Sequence, residues 1–147
     1  MSKANPGGGE TFVLDTHAWI WLSVGARNRF KPGLIQKLEK AAEESALRIS
    51  AITPWEIAVL HRKNRIRLLD DPLTWVRDTI RASRIQLVPL TPEIAVGSEN
   101  LPGSFHGDPG DRIIVASAIS IRAALVTADR DILRYGEKGH VSTQPCG

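Results

Sequence analysis

Cysteine is nearly absent from this chain. Cys146, one residue from the end, is the only one in 147 residues, which excludes an internal disulfide framework and a Cys-rich zinc site. No apolar run approaches the ~20 residues that span a bilayer. Residues 1–10 lack the apolar stretch of a secretory signal. His17, His61, His106 and His140 are scattered and match no H-E-x-x-H spacing, so they are expected to be surface or structural residues. Glycines cluster at Gly7-Gly8-Gly9, ahead of the first β-prone run. There they cannot form the strand-to-helix loop that cradles a phosphate. No internal repeat is present. The expectation is a cytoplasmic protein with a flexible leader, residues 1–10, and a single domain, residues 11–147.

Charge is also scant. A net charge of +3 suits a polyanionic or acidic partner and equally a plain solvated surface, so it decides neither. With 42% apolar and 24% charged residues the composition is that of a globular protein. A chain of this length buries well over half of its unfolded surface.

What the chain does contain is an alternation. Short β-prone runs at 11–15, 47–50, 85–90 and 124–127 alternate with helix-like runs at 33–45, 53–64, 73–83, 91–99, 111–123 and 129–135, and 140–143 is a candidate final edge strand. Thr53-Pro54, Asp71-Pro72 and Thr91-Pro92 each place proline in a helical first turn, where it is tolerated. Leu73, Val76 and Ile80 are spaced for one buried helical face, and 111–123 is apolar nearly all round. Trp19, Trp21 and Leu22 are expected outside regular helix, and Trp19, Trp21, Trp55 and Trp75 in the core or at an interface. Alternating strands and helices predict a three-layer α/β/α sandwich around a central, mostly parallel sheet. Ligands of such sheets bind beyond the carboxyl ends of the strands.

Four acids, Asp15, Glu56, Asp111 and Asp129, sit where a strand-like run gives way to a helix-like one. Taken singly, each has a local explanation. Asp15 and Asp129 suit helix N-caps, Thr53-Pro54-Trp55-Glu56 has capping-box spacing, and Asp108-Pro109-Gly110-Asp111 resembles it. A cap contributes only ~1 kcal/mol and does not constrain where the other acids lie. If the four converge, repulsion of about 4 kcal/mol per pair at 4 Å and an effective dielectric of 20 outweighs the caps, and a cation must join them. Glu56 is the one charge between Ile52 and Leu60, and Asp111 heads the most apolar helix, so both are expected to be buried. Carboxylates without thiolates or paired histidines suit Mg²⁺ or Mn²⁺.

These residues resemble the PIN-domain family and, within it, the VapC-type toxin ribonucleases. The likeness runs over about residues 12–135. It rests on Val13-Leu14-Asp15-Thr16-His17-Ala18, on Ile49-Ser50-Ala51-Ile52-Thr53-Pro54-Trp55-Glu56-Ile57-Ala58, on His106-Gly107-Asp108-Pro109-Gly110-Asp111-Arg112, and on Leu125-Val126-Thr127-Ala128-Asp129-Arg130-Asp131. The resemblance implies a Mg²⁺- or Mn²⁺-dependent endoribonuclease that hydrolyses RNA with a metal-activated water. It implies metal and catalytic carboxylates at Asp15, Glu56, Asp111 and Asp129, with support from Thr127 and Asp108. It also implies a cognate antitoxin and a homodimer. One departure is Gly110, where related toxins usually carry a bulky apolar residue, often Phe; its absence is expected to loosen the loop.

Basic residues suit an RNA partner: Arg112 and Arg130 each follow a proposed ligand, and Arg62 and Lys63 close the Glu56 helix. Arg77, Arg81 and Arg84 form a further stripe at helical spacing. Two other readings stay open on the residues alone, a non-catalytic RNA- or protein-binding domain and a structure-specific DNA nuclease. A phosphoacceptor receiver domain needs an acidic pair after the first strand, and Asp15 is followed by Thr16 and His17.

Overall fold

The computed structural model describes residues 9–147; most of the expected leader, residues 1–8, lies outside them. Five strands form the centre: β1 Phe12–Leu14, β2 Leu47–Ser50, β3 Gln86–Val88, β4 Ala124–Thr127 and β5 Thr143–Pro145. They lie in the order β3-β2-β1-β4-β5, and every neighbouring pair is parallel. Leu14 stands opposite both Ile49 and Val126, so the carboxyl ends of the three middle strands are level.

Strand periodicity sorts the core into two layers. Phe12 and Leu14 of β1, Leu47 and Ile49 of β2, and Ala124 and Val126 of β4 face one side. There they meet α1 Thr16–Ser23, α2 Leu34–Glu43, α3 Thr53–Arg62 and α4 Pro72–Ser83, through Trp19, Leu38, Ile57 and Val76. Val13 and Leu125 face the other side, against α5 Pro92–Gly97, α6 Pro109–Ser120 and α7 Arg130–Glu137. Both faces are therefore covered, which is why the middle strands β1 and β4 are short, fully buried and nearly all apolar.

Several expectations shift. Trp19, Trp21 and Leu22 lie within α1. Eight residues form two turns of helix here because Asp15 caps the first turn and Trp19 anchors it in the core, fully buried. Leu73, expected on the buried face of α4, is 59% exposed. Its helix meets the rest of the fold through Val76, with Trp75 and Ile80 beside it. The final strand starts three residues later than its β-prone run, at Thr143, because His140 stacks on Tyr135 at 4.7 Å and Val141 turns inward.

In this order the chain runs outward from β1 to β2 and β3, then returns to the far side of β1 for β4 and β5. The reversal falls between β1 and β4, and the crevice it opens lies beyond their carboxyl ends. Asp15 follows the last residue of β1, and Asp129 lies two residues past β4.

Candidate active site

Asp15, Glu56, Asp108, Asp111 and Asp129 line one pocket of about 510 Å³ at this crevice. Two of them come from strand ends. The Asp15 amide donates to Val126 O at 2.9 Å, so its backbone is still tied to β4. Its Oδ1 accepts from Thr16 N at 2.8 Å and its Oδ2 from the Thr127 hydroxyl at 2.7 Å. The same Thr127 oxygen accepts from Asp129 N at 2.9 Å, while Asp129 Oδ1 caps α7 by accepting from Asp131 N and Ile132 N. One fully buried hydroxyl thus couples the ends of β1 and β4.

The other three come from helix starts. Asp108 caps α6 through Asp111 N at 2.9 Å, and Asp111 sits in the first turn of that helix. Glu56 lies in the first turn of α3, but the expected capping box is not formed: Thr53 is already helical and Ile52 is the cap residue. Glu56 Oε1 accepts from the Thr16 hydroxyl instead. With its one proton given to Glu56, Thr16 receives from Thr53 Oγ1 at 3.1 Å. Glu56, Asp108 and Asp111 each offer one oxygen, and the three oxygens lie within 4.8 Å of one another.

Gly110 has a clear part in this approach. A β-carbon built there would collide with Glu56 Oε2 and lie 2.9 Å from its Cδ. The space is filled by a carboxylate and not left slack, so the missing side chain admits Glu56 to the start of α6.

The acids burden one another. Asp111 is pushed up to about 7, first by burial and then by the carboxylates of Asp108, Asp15, Asp129 and Glu56. Burial also raises Asp15, against the lowering effect of its bonds to Thr127 and Thr16. Glu56 is raised by burial, with Asp15 and Asp108 adding to it and the Thr16 bond opposing it. His17, which lines the pocket, lowers Asp15 by its charge. No Lys or Arg is paired with these acids among the described residues. The ion pairs there are Arg81–Asp78 at 3.6 Å and Arg134–Asp131 at 2.7 Å, and neither involves these five acids. Capping and clustering are not alternatives here. Asp108 and Asp129 each cap with one oxygen, which leaves a second carboxylate oxygen beside the pocket. An all-oxygen, carboxylate-rich set that raises its own proton affinity fits a hard divalent cation. Glu56, Asp108 and Asp111 form the compact group, and Asp15 and Asp129 face it from the strand ends.

All four acids singled out in the sequence line one pocket, and two of them, Glu56 and Asp111, belong to the trio within 4.8 Å. Asp108, expected in support, stands in the tightest trio, and Thr127 bridges two of the others. Thr16 and Thr53 were missed; the only hint was a hydroxyl directly after Asp15. The basic residues divide. Lys63 lines the pocket, together with Arg65. Arg130 is exposed at the start of α7, and Arg62 at the end of α3. Arg112, expected at a phosphate, donates to Gly107 O at 3.1 Å, Phe105 O at 2.8 Å and Ser98 O at 3.5 Å. Its guanidinium ties down the loop that presents Asp108, because those carbonyls lie outside regular structure and need donors. Cys146 is buried, and burial pushes its thiol up to about 11, so it stays protonated at neutral pH.

The PIN domain model matches residues 12–138. This chain belongs to the PIN-domain family. Among curated relatives it is 38% identical over 120 residues to Ribonuclease VapC22 of Mycobacterium tuberculosis, covering 82% of this chain and 88% of that one. Solved structures carry the same fold at lower identity. VapBC2 from Rickettsia felis bound to a promoter DNA fragment matches with a TM-score of 0.63 at 19% identity, over 93% of this chain and 99% of that one. A toxin–antitoxin complex from Klebsiella pneumoniae matches with 0.57 at 23% identity, over 83% and 90%.

Proposed function

We propose that this protein is a divalent-cation-dependent endoribonuclease and the toxin member of a VapBC-type toxin–antitoxin pair. The observation that carries the reading is the convergence of five carboxylates in one pocket, three within 4.8 Å, with no Lys or Arg paired to them among the described residues. The named activity of the 38%-identical relative supports it.

Glu56, Asp108 and Asp111 would hold the ion, with Asp15 and Asp129 completing its surroundings. A bound Mg²⁺ or Mn²⁺ supplies Lewis-acid neutralisation of phosphate charge and makes a water acidic enough to attack near neutral pH. The chain's own residues prepare the site. Thr127 holds Asp15 and the Asp129 backbone in register, and Thr16 orients Glu56. Three helix N-termini (α1, α6 and α7) aim their partial positive charge at the pocket, which tempers the repulsion without cancelling it. The second oxygens of Glu56 and Asp129 are acceptors for an attacking water. Attack by water and not by a ribose 2′-hydroxyl yields a 5′-phosphate and a 3′-hydroxyl. Lys63 and Arg130 are the candidate phosphate contacts, with Arg62 further out. A cognate antitoxin, a homodimer and a cytoplasmic location complete the proposal.

The test is cleavage of a panel of RNAs in Mg²⁺ by wild type and by Asp111→Asn, with EDTA and single-stranded DNA arms. The expected result is Mg²⁺-dependent RNA cleavage by wild type and loss of at least about 100-fold in the variant, the order lost when a group stabilising transition-state charge is removed. Equal activity in both proteins defeats the assignment. Cleavage of the DNA alone would turn it to the DNA-nuclease reading.

A further inference from the structure

Three of the four tryptophans are partnered. Trp19 is fully buried and meets Trp75 edge-on at 5.3 Å. Trp21 carries the Arg29 guanidinium 4.7 Å above its ring and has His17 at 6.0 Å. Trp55 differs. It is 59% exposed, and among the described residues its indole makes no hydrogen bond and no ring or cation contact. Singly exposed apolar residues are ordinary on a protein surface, so a use for Trp55 has to come from its position.

Its position gives that use. Trp55, Glu56, Val59 and Leu60 turn one face of α3 toward the acidic pocket, at spacings i, i+1, i+4 and i+5, and Lys63 follows at i+8. The pocket therefore has an acidic floor, an apolar wall beginning at Trp55, and cations at the far end, about 12 Å along the helix axis at 1.5 Å per residue. Those cations, Lys63 and Arg65, have no ion-pair partner among the described residues even though five carboxylates share the pocket. A flat ring beside an ion site, with unpaired cations beyond it, matches a nucleotide: base on the ring, one phosphate at the carboxylates, the next toward Lys63.

We propose that Trp55 is a base-stacking platform beside the acidic pocket, holding one nucleobase of the substrate strand. The proposal rests on the nuclease reading above and adds to it the residue that selects for an unpaired base. A base in a duplex has both faces stacked and cannot lie on Trp55, whereas a single-stranded base has a free π-face. Stacking is tolerant of sequence, so Trp55 selects for unpaired structure and leaves base identity to other contacts.

The experiment is binding of a fluorescently labelled 12-nucleotide RNA and of its blunt duplex to wild type, Trp55→Ala and Trp55→Phe, with Ca²⁺ replacing Mg²⁺ to limit cleavage. Trp55→Ala should weaken single-strand binding about tenfold, in the range measured for loss of a stacked base, and leave duplex binding unchanged. Trp55→Phe should restore most of the affinity while losing much of the RNA-induced quenching of tryptophan emission seen in wild type. Lys63→Ala should weaken both RNAs evenly and lower the salt slope by about one. Single-strand affinity of Trp55→Ala within twofold of wild type overturns the platform, and so does a Phe variant as weak as the Ala variant. If Trp55→Ala changes the oligomeric state in size-exclusion chromatography and leaves RNA affinity intact, the ring belongs to a protein interface and the proposal fails. Cleavage by wild type alongside undiminished binding by Trp55→Ala sinks the platform alone; a wild type that neither binds nor cleaves RNA sinks the nuclease reading with it.

Discussion

The two halves of the acidic pocket are built in opposite ways. At the strand ends, Asp15 and Asp129 are held by a buried hydroxyl and by backbone amides, so their charges have donors whether or not an ion is present. At the helix starts, Glu56, Asp108 and Asp111 crowd within 4.8 Å with few donors between them. The Asp111 carboxylate accepts no hydrogen bond among the described residues, and burial with four carboxylates around it pushes it up to about 7. Hydrogen bonds organise the first half, while in the second burial and mutual repulsion go largely unrelieved. A cation therefore has little to organise at Asp15 and much to relieve at Asp111.

The largest test of this contrast is the response to metal. Asp111→Asn should match or exceed wild-type thermal stability in EDTA, because it removes a repelled charge. It should also lose most of the rise in Tm that saturating Mn²⁺ gives wild type, since an ion stabilises only the state that binds it. A variant that melts well below wild type in EDTA would show that Asp111 supports the fold and is not under strain.

Next in size is the dependence on pH. Asp111 has its folded-state affinity for protons raised from 3.8 to about 7, so between those values the native state holds more protons than the unfolded one. Stability in EDTA should accordingly fall as pH rises from about 4 to about 7, the negative slope that proton linkage requires. Across the same window Mn²⁺ should bind more tightly as pH rises and release protons as it binds. Melting curves in EDTA and calorimetric titrations in buffers of different ionisation enthalpy measure the two effects. A stability that climbs with pH in EDTA would contradict the crowding.

The strand-end half should respond the other way. Thr127→Val keeps the buried shape but removes the donor to Asp15 and the acceptor for Asp129 N. A loss of ~1–3 kcal/mol in urea unfolding is expected, with or without metal, because buried groups are left unpaired. A loss seen only in Mn²⁺ would mean that the ion, and not the hydroxyl, organises this half.

The smallest stability effect is expected at Gly110. Alanine there must displace the Glu56 carboxylate, while a helical first turn favours it over glycine by up to ~1 kcal/mol. Gly110→Ala should therefore be neutral or slightly stabilised in EDTA and bind Mn²⁺ more weakly. Unchanged Mn²⁺ affinity would show that Glu56 can reach the ion from another rotamer.

Much of this was legible along the chain. The runs at 47–50 and 124–127 are strands with the expected bounds, Leu47–Ser50 and Ala124–Thr127, the first short and alternating in polarity, the second short and apolar up to its closing threonine. The capping box expected between Thr53 and Glu56 is not formed, but Asp15, Asp108 and Asp129 were legible as caps, since capping is a relation between near neighbours. Their partners were not. Nothing in local order links Thr16 to Glu56, 40 residues away, or Thr127 to Asp15, 112 residues away. Arg112 looked like a phosphate ligand from its place beside Asp111; only the path of the loop shows its guanidinium facing three carbonyls. By type Trp55 reads as core or interface, and by spacing Leu73 reads as core; both are 59% exposed, which removes the core reading.

Sequence alone determined the layered α/β architecture and the identity of the charged groups, because strand and helix periods and capping chemistry act over a few residues. Tertiary structure decided which carboxylates share an ion-sized space, which arginine is occupied and which tryptophan is open. Those outcomes depend on crossovers that bring distant segments to one edge of a parallel sheet. Distance and burial, which set the strength of every charge interaction there, exist only once the sheet has formed.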